Sequence, residues 1–173
     1  TRLMLRGNAT ITDAGIENLV ELRELDVGTV ITDAGLSNMA SLTHLHVRRP
    51  TGEKGIDGSS FKNLKSLTSL HLEGRTDVVS ENLLFLTGLK TLKGHGTTDI
   101  SSEIASQLTS LTTLEAYGRE WTPISIISLT NLTELKLDQN TAMNDNGLSG
   151  LTNVTHLDIA SHTDSDGISH ESL

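Results

Sequence analysis

Seven histidines in a chain without cysteine are the residues with the most chemistry to offer. His44 and His46 stand two apart, so they share a face wherever the backbone is extended. His71 and His95 lie among similar neighbours further along, with Arg48, Glu73, Lys93 and Tyr117 close to them in sequence. Three kinds of chemistry suit such a set. Three imidazoles, His44, His46 and His71, with the carboxylate of Asp26 match the donor types of a zinc site. Clustered imidazoles also gain positive charge together below about pH 6.5, which makes a pH switch. The third is recognition, in which imidazole, guanidinium and phenol groups on fixed centres meet a protein partner. Zinc is the least favoured, because side chains two apart on a flat strand stand roughly 6.5–7 Å from each other. Nothing else in the sequence would orient such ligands, so no metal and no other cofactor is expected.

The elements that carry these residues follow from a repeated phrase. Leu132-Thr-Glu-Leu135-Lys-Leu137-Asp-Gln-Asn140 puts apolar residues at positions 1, 4 and 6 and asparagine at position 9. The step from 4 to 6 is strand alternation, and asparagine suits the turn that follows. Position 4 recurs as Leu3, Leu25, Leu45, Leu70, Leu92, Leu114, Leu135 and Leu157, with steps of 22, 20, 25, 22, 22, 21 and 22 residues. A fixed period of this size marks a repeat architecture. The pattern Leu-x-x-Leu-x-Leu-x-x-Asn resembles the leucine-rich repeat family, and the resemblance covers essentially all 173 residues.

That resemblance implies an α/β fold: a leucine-rich repeat solenoid, a curved right-handed superhelix. A parallel sheet would form the concave face, with short helices or irregular coil on the convex face. Residues 1–173 are expected to form a single domain of about eight repeats, and the chain is read as a segment of a longer protein. The Ile11-Thr-Asp-Ala-Gly-Ile16 unit returns as Ile31-Thr-Asp-Ala-Gly-Leu36. It is similar to units of bacterial repeat proteins. Thr12 with Asp13 and Thr32 with Asp33 are expected to cap a convex helix of one or two turns.

Strand alternation then sorts the outward side chains into three columns. Position 3 holds Arg2, Glu24, His44, Ser69, Thr91, Thr113, Glu134 and His156. Position 5 holds Met4, Asp26, His46, His71, Lys93, Glu115, Lys136 and Asp158, alternating in sign towards its end. Position 7 includes Arg6, Arg48, Glu73, His95, Tyr117, Asp138 and Ala160. The candidate partner-binding patch is therefore His44, His46, Arg48, His71, Glu73, Lys93, His95 and Tyr117.

Irregularities are expected at four places. Residues 48–58, rich in glycine and charge, read as an exposed loop. Gly94 and Ala116 replace the aliphatic residue of position 6 and mark a weak point in the core. Pro123, after Trp121, argues for an irregular or 3₁₀ convex segment. The polar stretch 161–170 reads as a fraying tail. Asparagine at position 9 occurs only as Asn8 and Asn140.

A net charge of −9 disfavours nucleic acid and anionic membrane as partners. No apolar run approaches the roughly 18 residues that span a bilayer, so membrane insertion is not expected. The absence of cysteine tilts the setting towards a cytoplasmic protein or a secreted bacterial effector, rather than a disulfide-capped extracellular one. No phosphate loop, dinucleotide fingerprint or Gly-x-Ser-x-Gly motif is present, and an enzyme is not expected. The family implies protein–protein interaction through the concave sheet; the alternative is a structural spacer that positions another domain.

Overall fold

A computed structural model describes residues 1–27, 30–48, 55–74, 76–95, 100–118 and 121–160. Eight strands lie side by side in chain order: β1 (Arg2–Met4), β2 (Glu24–Asp26), β3 (His44–Arg48), β4 (Ser69–Glu73), β5 (Thr91–His95), β6 (Thr113–Tyr117), β7 (Glu134–Asp138) and β8 (His156–Ala160). Every neighbouring pair is parallel. The register sets leucine 4 of each repeat against leucine 4 of the next, from Leu3↔Leu25 to Leu135↔Leu157. The strands alternate: Leu45, Val47, Leu70 and Leu72 are buried, whereas the residues between them reach the outer face of the sheet. One repeat's small leucine set is covered by the sets on either side, which is how a solenoid builds a continuous core.

The return path of most repeats is a single helical turn: α1 (Asp13–Ile16), α2 (Asp33–Leu36), α3 (Ser102–Ala105), α4 (Pro123–Ile126) and α5 (Asp145–Leu148). Repeats three and four instead return through 3₁₀ turns at Phe61–Asn63 and Ser80–Phe85. The expectation of an irregular or 3₁₀ segment at Pro123 is therefore corrected. Proline occupies the first position of α4, where its missing N–H would have no intrahelical partner anyway. Thr122 and Ser125 complete the turn, with the Thr122 N–H donating to Ser125 Oγ at 3.0 Å.

The capping expectation is corrected in part. Thr32 does accept from the Ala34 N–H, but Thr12 makes no side-chain cap. The aspartates act across repeats instead. Asp13 accepts from the backbone N–H and the hydroxyl of Thr32, at 2.8 and 2.7 Å. Asp33 accepts from the N–H groups of Asp57 and Ser60 and from the Ser60 hydroxyl.

On the strand side, threonine at position 2 ties the repeats together. The hydroxyls of Thr43, Thr68, Thr112, Thr133 and Thr155 each donate to a backbone carbonyl of the preceding repeat. The side-chain amides of Asn131 and Asn153 do the same towards Thr109 and Thr130.

At the expected weak point, Gly94 and Ala116 are buried at position 6. The β5–β6 ladder includes the pairs from Thr91↔Thr113 to Lys93↔Glu115. Trp121 is fully buried in the same core. Of the loop expected at 48–58, Arg48 ends β3 and residues 55–58 lie on the convex return, where Ile56 is buried. Residues 49–54, and the tail at 161–170, lie outside the described residues.

Candidate functional site

The parallel register brings the three outward columns together as read from the sequence. Glu24, His44 and Ser69 are lateral neighbours, as are Asp26, His46, His71 and Lys93, and as are Arg48, Glu73 and His95. Most of the eight candidate residues gather round two carboxylates that were not among them, Asp26 and Glu115, and His71 lies between the two groups.

Asp26 organises the first cluster. Its side chain is only 3% exposed, although it sits on the outward face. Arg48, two positions further along β3, reaches back diagonally and grips it with two nitrogens. Nε lies 2.9 Å from Oδ1 and Nη2 3.2 Å from Oδ2. The third guanidinium nitrogen donates to Glu73 on β4. His46 completes the ring: Nε2 lies 3.0 Å from Glu73 Oε2, and Nδ1 3.3 Å from Arg48 Nη2. Arginine carries donors and no acceptor, so Nδ1 accepts and the Nε2–H donates to Glu73. Charge-assisted bonds of this kind are shorter and stronger than neutral ones. Four side chains on three strands thus hold one another in place, with Arg6 3.9 Å from Asp26 at the margin.

His71 abuts this network without joining it. Its ring meets that of His46 edge to face, with centroids 5.5 Å apart. Burial pushes the His46 pKa down, helped by the Arg48 charge and opposed by Asp26 and Glu73. Burial also lowers that of His71, reinforced by His46, Lys93 and His95 and opposed by Glu115. Both rings are therefore neutral at neutral pH. His44 lies in the adjoining column, exposed, with Nδ1 2.9 Å from the Thr43 hydroxyl.

Glu115 organises the second cluster. Lys93 and Lys136 flank it from the strands on either side, at 3.5 and 3.4 Å, and His95 Nδ1 lies 3.4 Å away. Tyr117 stands beside them, half-exposed, at the edge of a hollow of about 210 Å³ over Gly94 and Ala116. The sign alternation of column 5 is the signal that pointed to Glu115. For Asp26 the signal was weaker: an acid beside His46 in column 5, with an arginine one register step along.

Among the described residues, no three His, Asp or Glu side chains are placed to share a metal ion. No helix is long and apolar enough to cross a membrane.

No protein-family model matches the chain, and no curated protein matches it. Its structure does have close likenesses. It is similar to internalin C2 from Listeria monocytogenes, with a TM-score of 0.65 and 20% identity, over 92% of this chain and 80% of that one. A second Listeria monocytogenes internalin, inlF, aligns with a TM-score of 0.62 and 23% identity, over 86% of this chain and 50% of that one. A chain of the Toll–Spatzle complex from Drosophila aligns with a TM-score of 0.62 and 17% identity, over 86% of this chain and 22% of that one. At these identities the likeness concerns the fold. Eight parallel strands in one open sheet, returned by short helical turns, make a leucine-rich-repeat solenoid.

Proposed function

We propose that this leucine-rich-repeat solenoid is a protein-recognition module whose contact surface is the concave sheet face. Residues 1–173 would act as one domain of about eight repeats, with His44, His46, Arg48, His71, Glu73, Lys93, His95 and Tyr117 as the contact set. The observation that carries this reading is the mutual bracing of Asp26, Arg48, His46 and Glu73. Ordering long polar side chains on binding costs roughly 0.5–1.5 kcal/mol for each one immobilised. Here that ordering is already done in the free chain. Arginine, tyrosine and histidine projecting from a rigid sheet are also the residue types that recognition surfaces favour. The Toll–Spatzle likeness adds an example of this fold in a complex with a protein. The reading extends to a bacterial protein that engages a host partner, for which the Thr-Asp-x-Gly unit is the support.

The test is differential capture of partners by wild type and by a His71→Gln, Tyr117→Ala variant. Ile124→Ser on the convex face, 82% exposed, serves as the control. A partner retained by the control and lost by the concave variant supports the proposal. Equal capture by all three moves recognition off this face. Deleting one whole repeat separates the spacer alternative, which tolerates a change of length better than a matched surface does.

A further inference from the structure

The concave face has a furrow between its first two outward columns. It crosses β1 to β4 and holds about 170 Å³. Four strands at about 4.8 Å spacing make it roughly 14 Å long, the span of about four extended residues, which is room for one long side chain and the chain beside it. One wall is column 3, with Glu24, His44 and Ser69; the other is column 5, with Asp26, His46 and His71.

Leu25 and Leu45 form its floor, and Glu24 and His71 are the acceptors that Arg48 does not occupy. Glu24 contributes a half-exposed carboxylate. Neutral imidazole has one acceptor nitrogen, and the His71 ring makes no hydrogen bond among the described residues. The imidazole faces suit a flat cation, since planar guanidinium stacks on aromatic faces. Of the furrow's two carboxylates, Asp26 is paired by Arg48 and Glu24 by Arg2, on a chain of net charge −9. Such a field draws in cationic groups and repels anionic ones. The chain itself displays the chemistry: at the β1 end, Arg2 Nε lies 3.2 Å from Glu24 Oε2 and 3.3 Å from Met4 Sδ. The positive charge of Arg48 is offset by the carboxylates of Asp26 and Glu73 that it pairs with.

We propose that this furrow is a subsite for an arginine side chain presented by a basic segment of a protein partner. Glu24 receives the guanidinium, His44 and His71 flank its plane, and Arg2 is the resident competitor for the same carboxylate. The proposal rests on the concave-face reading and makes it specific: the partner is basic at the point of contact. It also carries a pH dependence. His71 is faced by His46 on β3, by Lys93 and His95 on β5, and by Glu115 on β6. His46 is faced by Asp26, Arg48 and Glu73. Protonation of either ring puts positive charge into the wall and expels a cation.

The probe is Nα-acetyl-arginine methylamide, titrated into isotopically labelled chain and followed by NMR at the Ser69 amide and the His44 and His71 rings. The citrulline analogue, neutral and of the same shape, is the comparison. The expected result is saturable shifts at those groups with arginine and none with citrulline. Glu24→Gln is expected to weaken binding at least about fivefold, as loss of a charge-assisted pair does. Arg2→Gln is expected to tighten it by freeing Glu24, and acidification below the range where His71 and His46 take up a proton to weaken it. Equal response to citrulline overturns the proposal, as do shifts centred on Glu115 or none even in the Arg2→Gln protein. If arginine fails here while partner capture still depends on His71 and Tyr117, the subsite falls and the concave surface stands.

Discussion

Arg48 on β3 holds the buried carboxylate of Asp26 on β2 through two nitrogens, at 2.9 and 3.2 Å. The pair spans a repeat boundary on the one face where a buried charge would otherwise be costly. Removing one partner of such a pair leaves the other charge uncompensated. Asp26→Asn is therefore expected to destabilise the chain by roughly 2 kcal/mol, in the range for hydrogen bonds to charged groups. Urea unfolding should show a lower midpoint at unchanged slope. An Asp26→Asn, Arg48→Met double mutant should lose less than the sum of its parts, since neighbours in one network couple.

Stability should fall in mild acid. The pKa values of His46 and His71 are lowered from 6.5 in the folded chain, by burial first. The unfolded chain then binds more protons than the folded one through the window below 6.5, so unfolding free energy rises with pH there. The contribution is intact above about pH 6.5, erodes as pH falls through the window, and levels off beneath the folded values. Urea midpoints at pH 7 and about pH 5.5 should differ accordingly, and His71→Gln should shrink the difference.

Gly15 and Gly35 sit in the same Thr-Asp-Ala-Gly unit but should respond oppositely to alanine. In a helix, Gly→Ala stabilises by about 1 kcal/mol. At Gly15 a Cβ would meet only the Ile11 Cγ2 methyl, at 3.2 Å. At Gly35 it would meet Asp13 Oδ1 at 2.5 Å and Asp13 Cα at 3.2 Å. The Asp13 carboxylate cannot yield without losing both bonds to Thr32. Gly15→Ala should raise the melting temperature slightly or leave it unchanged, and Gly35→Ala should lower it by several degrees, corresponding to about 1 kcal/mol or more.

Asn140 is buried, donates to the Trp121 carbonyl at 2.8 Å and accepts from the Ala142 and Met143 N–H groups. Asn140→Ala orphans all three backbone groups. A loss of about 2 kcal/mol is expected from unsatisfied buried polar groups, with faster amide hydrogen exchange at Ala142 and Met143 as the local readout.

These outcomes mark where sequence is informative. Column membership was legible because strand alternation and a nearly constant period leave one register, as His46↔His71 and Lys93↔Glu115 show. Which side chains meet within that grid was not, because Arg48 leans diagonally to Asp26 as well as across to Glu73 in its own column. The Asp13 carboxylate misled for a related reason. Local rules assign it to its own turn, whereas stacking at the repeat spacing offers it the next repeat's N–H. Pro123 suggests an irregular or 3₁₀ segment when only its missing donor is weighed; at the first helical position that donor has nothing to lose.

The threonine bonds at position 2 are alike at every boundary they cross: a hydroxyl of one repeat, a backbone carbonyl of the one before. Joints of that kind are interchangeable, so duplicating or excising a coil leaves the same joint behind and rewrites nothing. The Asp26–Arg48–Glu73 chain is different. It engages three successive repeats by the identity of their side chains, and an exchange that separates them strands a buried charge. Repeats two to four are therefore the part of the sheet in which a coil cannot be exchanged alone without leaving Asp26 unpaired.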